Sequence, residues 1–172
     1  MKITQFDKNE HDRKSFDCGN TELNNYLKCI SGQHEKKDIS RTYVLTSALN
    51  PSHIKGYYSI AVAQVSLCEL PTEIAKKYPS EITCSLIGRM AVNHTCQRQG
   101  LGSILLIDAI KRIIQASSAI PIPMIIVQAK NEDVRRFYSE FGFVSFPDNY
   151  LKLMMTLAHA KAMLKEAEHY KM

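Results

Sequence analysis

The chain has 172 residues, 45% of them apolar, and a formal net charge of +5. That size and composition describe one globular domain, 1–172, and leave no room for a collagen-like or low-complexity class. Five scattered cysteines without a C-x-x-C pair exclude a disulfide framework or zinc knuckle and fit a reducing cytoplasm, and the N-terminus lacks the apolar core of a secretory signal.

In chain order, Phe16-Asp17-Cys18-Gly19-Asn20 reads as a turn, with Asn20 or Thr21 capping a helix that carries Leu23, Tyr26, Leu27 and Ile30 at helical spacing. Residues 34–38 are polar and basic and read as a loop. The β-rich run 42–46 pairs as an antiparallel hairpin with 54–65, across the turn signal Asn50-Pro51-Ser52. A loop with a helical turn is expected over 70–81, and a strand over 82–93. Apolar residues between Ile104 and Ile114 predict a sheet-packed helix over 102–116. Residues 124–129 read as a buried strand, which makes a parallel βαβ unit with a right-handed crossover. The run 119–127 is too short for a bilayer and contains Pro121 and Pro123, so no membrane span is expected. Asn131 caps a helix that ends at Gly142; strands at 143–144 and 150–157 and a helix over 158–170 complete the chain.

Between the strand run 86–92 and the helix from Ser103 lies Gln97-Arg98-Gln99-Gly100-Leu101-Gly102. A loop at a helix N-terminus directs several free N–H groups one way, the glycines admit an anion close to the backbone, and the helix dipole favours negative charge there. The spacing suits a pyrophosphate. It is neither a Walker loop, which needs Gly-Lys-Ser/Thr, nor the three-glycine dinucleotide fingerprint. Downstream stands Asn131-Glu132-Asp133-Val134-Arg135-Arg136-Phe137-Tyr138-Ser139-Glu140-Phe141-Gly142-Phe143. Read without further context, Phe137 and Tyr138 are core aromatics, Asn131 an N-cap and Gln97 a solvated loop residue.

The two segments in this order resemble the GCN5-related N-acetyltransferase (GNAT) family: the Gln/Arg-x-x-Gly-x-Gly/Ala loop, then Asn-x-x-Ala-x-x-Phe-Tyr-x-x-x-Gly-Phe with Val134 in place of alanine. The resemblance implies an α/β fold, a mixed, mostly antiparallel sheet splayed at two parallel central strands, with helices on both faces. It also implies acetyl-CoA as cofactor. The pyrophosphate would be held by Gln97, Arg98, Gln99, Gly100, Gly102 and Ser103. The pantetheine would lie along Met90, Ala91 and Val92, beside Asn131, Phe137 and Tyr138. Acyl transfer to an amine needs positioning, a donor for the oxygen that gains charge, and a proton for the departing sulfur. By resemblance the Val92 N–H is that donor and Tyr138 the general acid. No base stands out: Glu69, Glu81 and His94 fall within the expected strands and loops, and a water chain is the alternative.

The first half narrows the resemblance. Phe16-Asp17-Cys18-Gly19-Asn20-x-x-Leu23-Asn24-x-Tyr26-Leu27, Ser40-Arg41-Thr42-Tyr43-Val44, Gly56-Tyr57-Tyr58-Ser59 and Gly88-Arg89-Met90-Ala91-Val92 are similar to the acetyltransferase toxins of bacterial toxin–antitoxin modules. Met90 and Asn93 stand where that group has Leu and Asp. Members acetylate the α-amino group of aminoacyl-tRNA and are held by a small ribbon-helix-helix antitoxin; a homodimer is left open. The substrate cations expected from this are Lys36, Lys37, Arg41 and Arg89, with Arg135 and Arg136 facing the tRNA, the cofactor phosphate or solvent. The rivals are an acetyltransferase of a small-molecule or protein amine, and a non-catalytic acyl-CoA-binding module.

Overall fold

The computed structural model describes residues 1–169; the expected end of the last helix at Tyr170 lies outside the described residues. The chain runs through β1 (Lys2–Gln5), α1 (Thr21–Asn25), a π-helical turn (Tyr26–Ile30), α2 (Ser31–Lys36), β2 (Ser40–Thr46) and β3 (Gly56–Ser66). A 3-10 turn, α3 (Thr72–Ala75), β4 (Glu81–Val92), a second 3-10 turn (His94–Cys96) and α4 (Leu101–Ala116) follow. The remainder is β5 (Met124–Gln128), α5 (Glu132–Glu140), β6 (Val144–Ser145), β7 (Lys152–Thr156) and α6 (Leu157–His169). The seven strands form one mixed sheet in the order β1-β2-β3-β4-β5-β7-β6, with β4 and β5 parallel. No helix among the described residues is long and apolar enough to cross a membrane.

Two compact units divide the chain: Met1–Ala61 with Ile87–Ala109, and Val62–Leu86 with the residues from Ile110 onward. The first is built on the antiparallel ladder of β1 and β2 (Lys2↔Thr46 to Gln5↔Tyr43) and of β2 and β3 (Ser40↔Ala61 to Leu45↔Gly56). Its core gathers Phe6, Phe16, Leu23, Tyr26, Leu27, Val44, Ile54, Tyr57 and Ala91. Tyr57 stands edge-on to Phe16 at 5.4 Å and stacks with Tyr26 at 6.2 Å. Its hydroxyl donates to the Leu23 carbonyl at 2.7 Å, so the buried ring carries no orphaned polar group. The Asn20 side chain caps α1 by accepting from the Leu23 N–H at 3.0 Å.

Two elements depart from the sequence reading. β1 was not expected, because Lys-Ile-Thr-Gln holds one apolar residue and gives no readable alternation; its pairing with β2 supplies what its own side chains lack. Part of the expected basic loop, 34–36, is helical. The Glu35 carboxylate accepts from the Thr42 N–H at 3.1 Å and from the Gln5 amide, which ties α2 to both strands. Tertiary contacts thus override a polar composition, and the chain turns only at Asp38, with φ +55°.

The second unit pairs β5 with β7 (Met124↔Thr156 to Gln128↔Lys152) and β7 with β6, all antiparallel. Residues 124–127 of β5 are all buried, as an interior strand requires. Val65, Leu70, Ile82, Cys84, Met124, Ile126, Phe146 and Met154 form its core. Lys152 donates to Glu69 at 2.8 Å and lies 4.5 Å from the Phe146 ring centre.

α5 begins and ends as its sequence dictates. The Asn131 side chain accepts from the Val134 N–H at 3.0 Å, Glu132 and Asp133 sit in the first turn, and Gly142 adopts φ +90°. A Cβ on Gly142 would also approach the His159 imidazole to 2.5 Å, but that side chain is exposed and able to swing aside. Gly142→Ala is therefore expected to lose about 1–2 kcal/mol, chiefly from the left-handed backbone. Denaturant unfolding should show a lower midpoint at unchanged slope.

Candidate functional site

The connection from β4 to α4 is knitted to its surroundings before any ligand is considered. The Asn93 N–H donates to the Lys55 carbonyl at 2.8 Å, and the His94 N–H to the Asp17 carbonyl at 2.8 Å. Asn93 is buried, and its side-chain oxygen caps the 3-10 turn by accepting from the Thr95 N–H at 3.2 Å. An Asp at this position would supply the same acceptor. The Gln97 amide donates to the Val92 and Cys18 carbonyls, each at 3.1 Å. Gln97 is thus a tether between strand end, loop and the turn at Cys18.

Beyond that tether the backbone turns left-handed at Arg98 (φ +59°) and again at Gly100 (φ +76°). For arginine this conformation is uncommon, and no feature of the sequence signals it. A Cβ on Gly100 would meet nothing within 4 Å, so the space over this glycine is open. Ile104 is the first residue of α4 whose N–H finds a backbone carbonyl, that of Gly100 at 3.3 Å. Among the described residues nothing accepts from the N–H groups of Arg98, Gln99, Gly100, Leu101, Gly102 and Ser103. A run of unpaired donors at the positive end of a sixteen-residue helix has the geometry and polarity of an anion cradle. Met90, Ala91 and Val92 close β4 immediately upstream; Ala91 is buried and the other two part-exposed.

The remaining expected site residues lie on α5. Asn131 performs its capping role. Tyr138 is buried, its ring 5.4 Å from Phe137 and 5.7 Å from Phe143. Among the described residues its hydroxyl has no hydrogen-bond partner, and burial pushes its pKa up to about 12. The phenol is therefore fully protonated at neutral pH.

The expected substrate cations differ in how they are held. Arg41 donates to the Glu35 carbonyl and is ion-paired with Asp38, which raises its pKa further. The Arg89 guanidinium carbon lies over the Tyr26 ring, 4.1 Å from its centre. Lys36 and Lys37 end α2 exposed and pair with no carboxylate among the described residues. Arg135 and Arg136 both engage Glu132, whose carboxyl the Arg135 hydrogen bond holds below the usual range. Of the candidate bases, Glu69 is held by Lys152, Glu81 is exposed at the start of β4, and the His94 ring nitrogen sits 2.9 Å from the Asp17 carbonyl.

Comparison with known proteins fits this architecture. Residues 30–143 match the acetyltransferase (GNAT) family model. The chain is 31% identical over 153 residues to the tRNA-acetylating toxin of Mycobacterium tuberculosis, spanning 89% of this chain and 90% of that protein. Among solved structures, AtaT complexed with acetyl-methionyl-tRNAfMet superposes with a TM-score of 0.86 at 27% identity, covering 95% of this chain and 98% of that one. AtaTR bound with acetyl-CoA superposes at 0.79 with 25% identity, covering 95% and 97%. With a family match over residues 30–143 and a relative 31% identical over 89% of its length, the chain belongs to the GNAT acetyltransferase family.

Proposed function

We propose that this protein transfers the acetyl group of acetyl-CoA to the α-amino group of aminoacyl-tRNA, and that it thereby acts as a translation-blocking toxin in the cytoplasm. The whole chain is assigned to one acetyltransferase domain, with a small ribbon-helix-helix antitoxin as its partner. One observation carries the cofactor half of this reading: the unpaired donors from Arg98 to Ser103 at the start of α4, with open space over Gly100. Those groups fit the pyrophosphate of acetyl-CoA. The likeness to the mycobacterial tRNA-acetylating toxin and to AtaT supports the acceptor half.

Acetyl-CoA supplies the activated acetyl thioester. Gln97 holds the cradle in shape through Val92 and Cys18, so Arg98, Gln99, Gly100, Gly102 and Ser103 present their N–H groups preformed. Met90, Ala91 and Val92 line the pantetheine arm, with Asn131 and Phe137 on its path. The Val92 N–H donates to the oxygen that gains negative charge. Tyr138 holds its proton at neutral pH and delivers it to the departing sulfur.

Incubation with radiolabelled acetyl-CoA and total charged tRNA, with free polyamines and proteins as competing acceptors, tests the reading. Label in the aminoacyl-tRNA fraction is expected; label confined to polyamine or protein would replace the acceptor. Gly102→Val should obstruct the cradle and weaken acetyl-CoA binding, read by calorimetry on a variant with unchanged circular dichroism. Unchanged affinity would remove the loop from the cofactor site.

Tyr138→Phe keeps the ring and its packing but removes the proton. Loss of a general acid costs on the order of 10²–10⁴-fold, and a thiolate departs readily, so a fall near the lower end is expected, with acetyl-CoA affinity unchanged. The phenol's pKa is raised, so its proton, and the stability that depends on it, persist below the unfolded value near ~10 and are lost only as pH climbs toward 12. Corrected for ionisation of the acceptor amine, kcat should stay flat from neutral pH to about 10. Near-normal turnover of the variant in single-turnover kinetics would make Tyr138 a packing residue only.

A further inference from the structure

A small cleft on the first unit is lined by Lys8, Arg13, Cys29, Gly32, Gln33 and Lys36. Three of these six residues are cationic and none is acidic. The Arg13 guanidinium reaches back over the helix, with Nη1 3.7 Å from where a Cβ on Gly32 would stand. Among the described residues no carboxylate pairs with Lys8, Arg13 or Lys36. Like charges facing one concavity repel each other, and an anion seated between them removes that repulsion.

The surroundings favour a polyanion over a single small ion. Lys8 and Arg13 also border the adjoining concavity with Lys14, and exposed Lys37 follows Lys36. That second concavity is mixed in charge, since Glu10 and Asp12 line it too, with Asp12 accepting from the Lys14 and Ser15 N–H groups at 3.1 and 3.3 Å. Of the two, only the first cleft is lined by charges of one sign. Of the cations expected from sequence, Arg41, Arg135 and Arg136 are paired with Asp38 and Glu132 and Arg89 lies over the Tyr26 ring, whereas Lys36 lines this cleft and Lys37 follows it. A planar guanidinium flanked by two ammonium groups matches the charge and donor pattern of a phosphodiester.

We propose that this cleft is a phosphate-binding subsite that grips the ribose-phosphate backbone of the RNA acceptor, at residues the acetyl transfer itself does not use. The inference rests on the aminoacyl-tRNA reading. The test compares the parent with a Lys8→Gln/Arg13→Gln/Lys36→Gln variant in tRNA binding over a range of salt, and in steady-state acetylation of charged tRNA. For the variant, the slope of log affinity against log salt should become shallower by about one for each phosphate released. KM for charged tRNA should rise about ten-fold while kcat and acetyl-CoA affinity stay unchanged. Lys8 and Lys36 are exposed and Arg13 part-exposed, so equal melting temperatures are expected and are checked first.

Cys29 provides a second readout that needs no substitution. Its exposed thiol lines the cleft, whereas Cys68 is exposed in the other unit and serves as a reference. Deacylated tRNA should slow iodoacetamide labelling of Cys29 relative to Cys68, and inorganic phosphate at the same phosphate concentration should not. Protection by inorganic phosphate alone would make the cleft a free-phosphate site and overturn the RNA assignment. A parent that acetylates charged tRNA beside a variant with the same KM and salt slope would overturn the cleft while leaving the acceptor in place. A parent that leaves charged tRNA unlabelled would overturn both.

Discussion

The first turn of any α-helix leaves N–H groups with no carbonyl to accept from them, and the site in this protein is organised around that constraint at α4. In most helices a side chain or water satisfies such groups. Here the residues before Leu101 do the opposite. Arg98 and Gly100 both turn left-handed, and the unpaired run extends backward from the helix into the loop. Such a run is tolerable only on the surface, where water can solvate it. The rigidity comes from elsewhere. Gln97 and Asn93 use their side-chain amides to fasten the loop to β4, to the carbonyl of Cys18 and to the turn that follows.

That fastening explains why the N-terminal turn matters to a site more than 70 positions downstream. Asp17 accepts from Gly19 and Asn24, which lowers its carboxyl, while its carbonyl accepts from the His94 N–H. Cys18 is positioned by the Asn24 side chain at 2.9 Å and passes its carbonyl to Gln97. The same turn leads into α1, whose Leu23 carbonyl receives the Tyr57 hydroxyl. A continuous set of hydrogen bonds therefore joins the aromatic core of the first unit to the cradle.

The distribution of charge follows a similar division between groups already engaged and groups left available. Carboxylates close to a cation neutralise it, as Glu132 does for Arg135 and Arg136 and Asp38 for Arg41. Ion pairs at i,i+3 and i,i+4 spacing are visible in sequence and could have been discounted as substrate contacts on that ground. Lys8 and Arg13 carry no such mark. They lie in an irregular loop, and their approach to Lys36 depends on how residues 7–16 fold back over α2.

Much of the protein was legible without coordinates because the signals are local. Asn131 and Gly142 bound α5 through capping oxygen and positive φ, the apolar run 124–127 announces an interior strand, and Gln97 to Gly102 marks a loop at a helix start. Each of these follows from steric or hydrogen-bonding rules that act over a few residues. What the tertiary structure alone decided is non-local. β1 exists because β2 offers it a partner, α2 extends to Lys36 because Glu35 meets Thr42 and Gln5, and Tyr138 gains its raised pKa from the packing around it. The left-handed Arg98 belongs to this second class, since its strain is offset by tethers to residues far away in sequence. Local rules set where elements begin and end; pairing, burial and strain depend on groups brought together only by the folded chain.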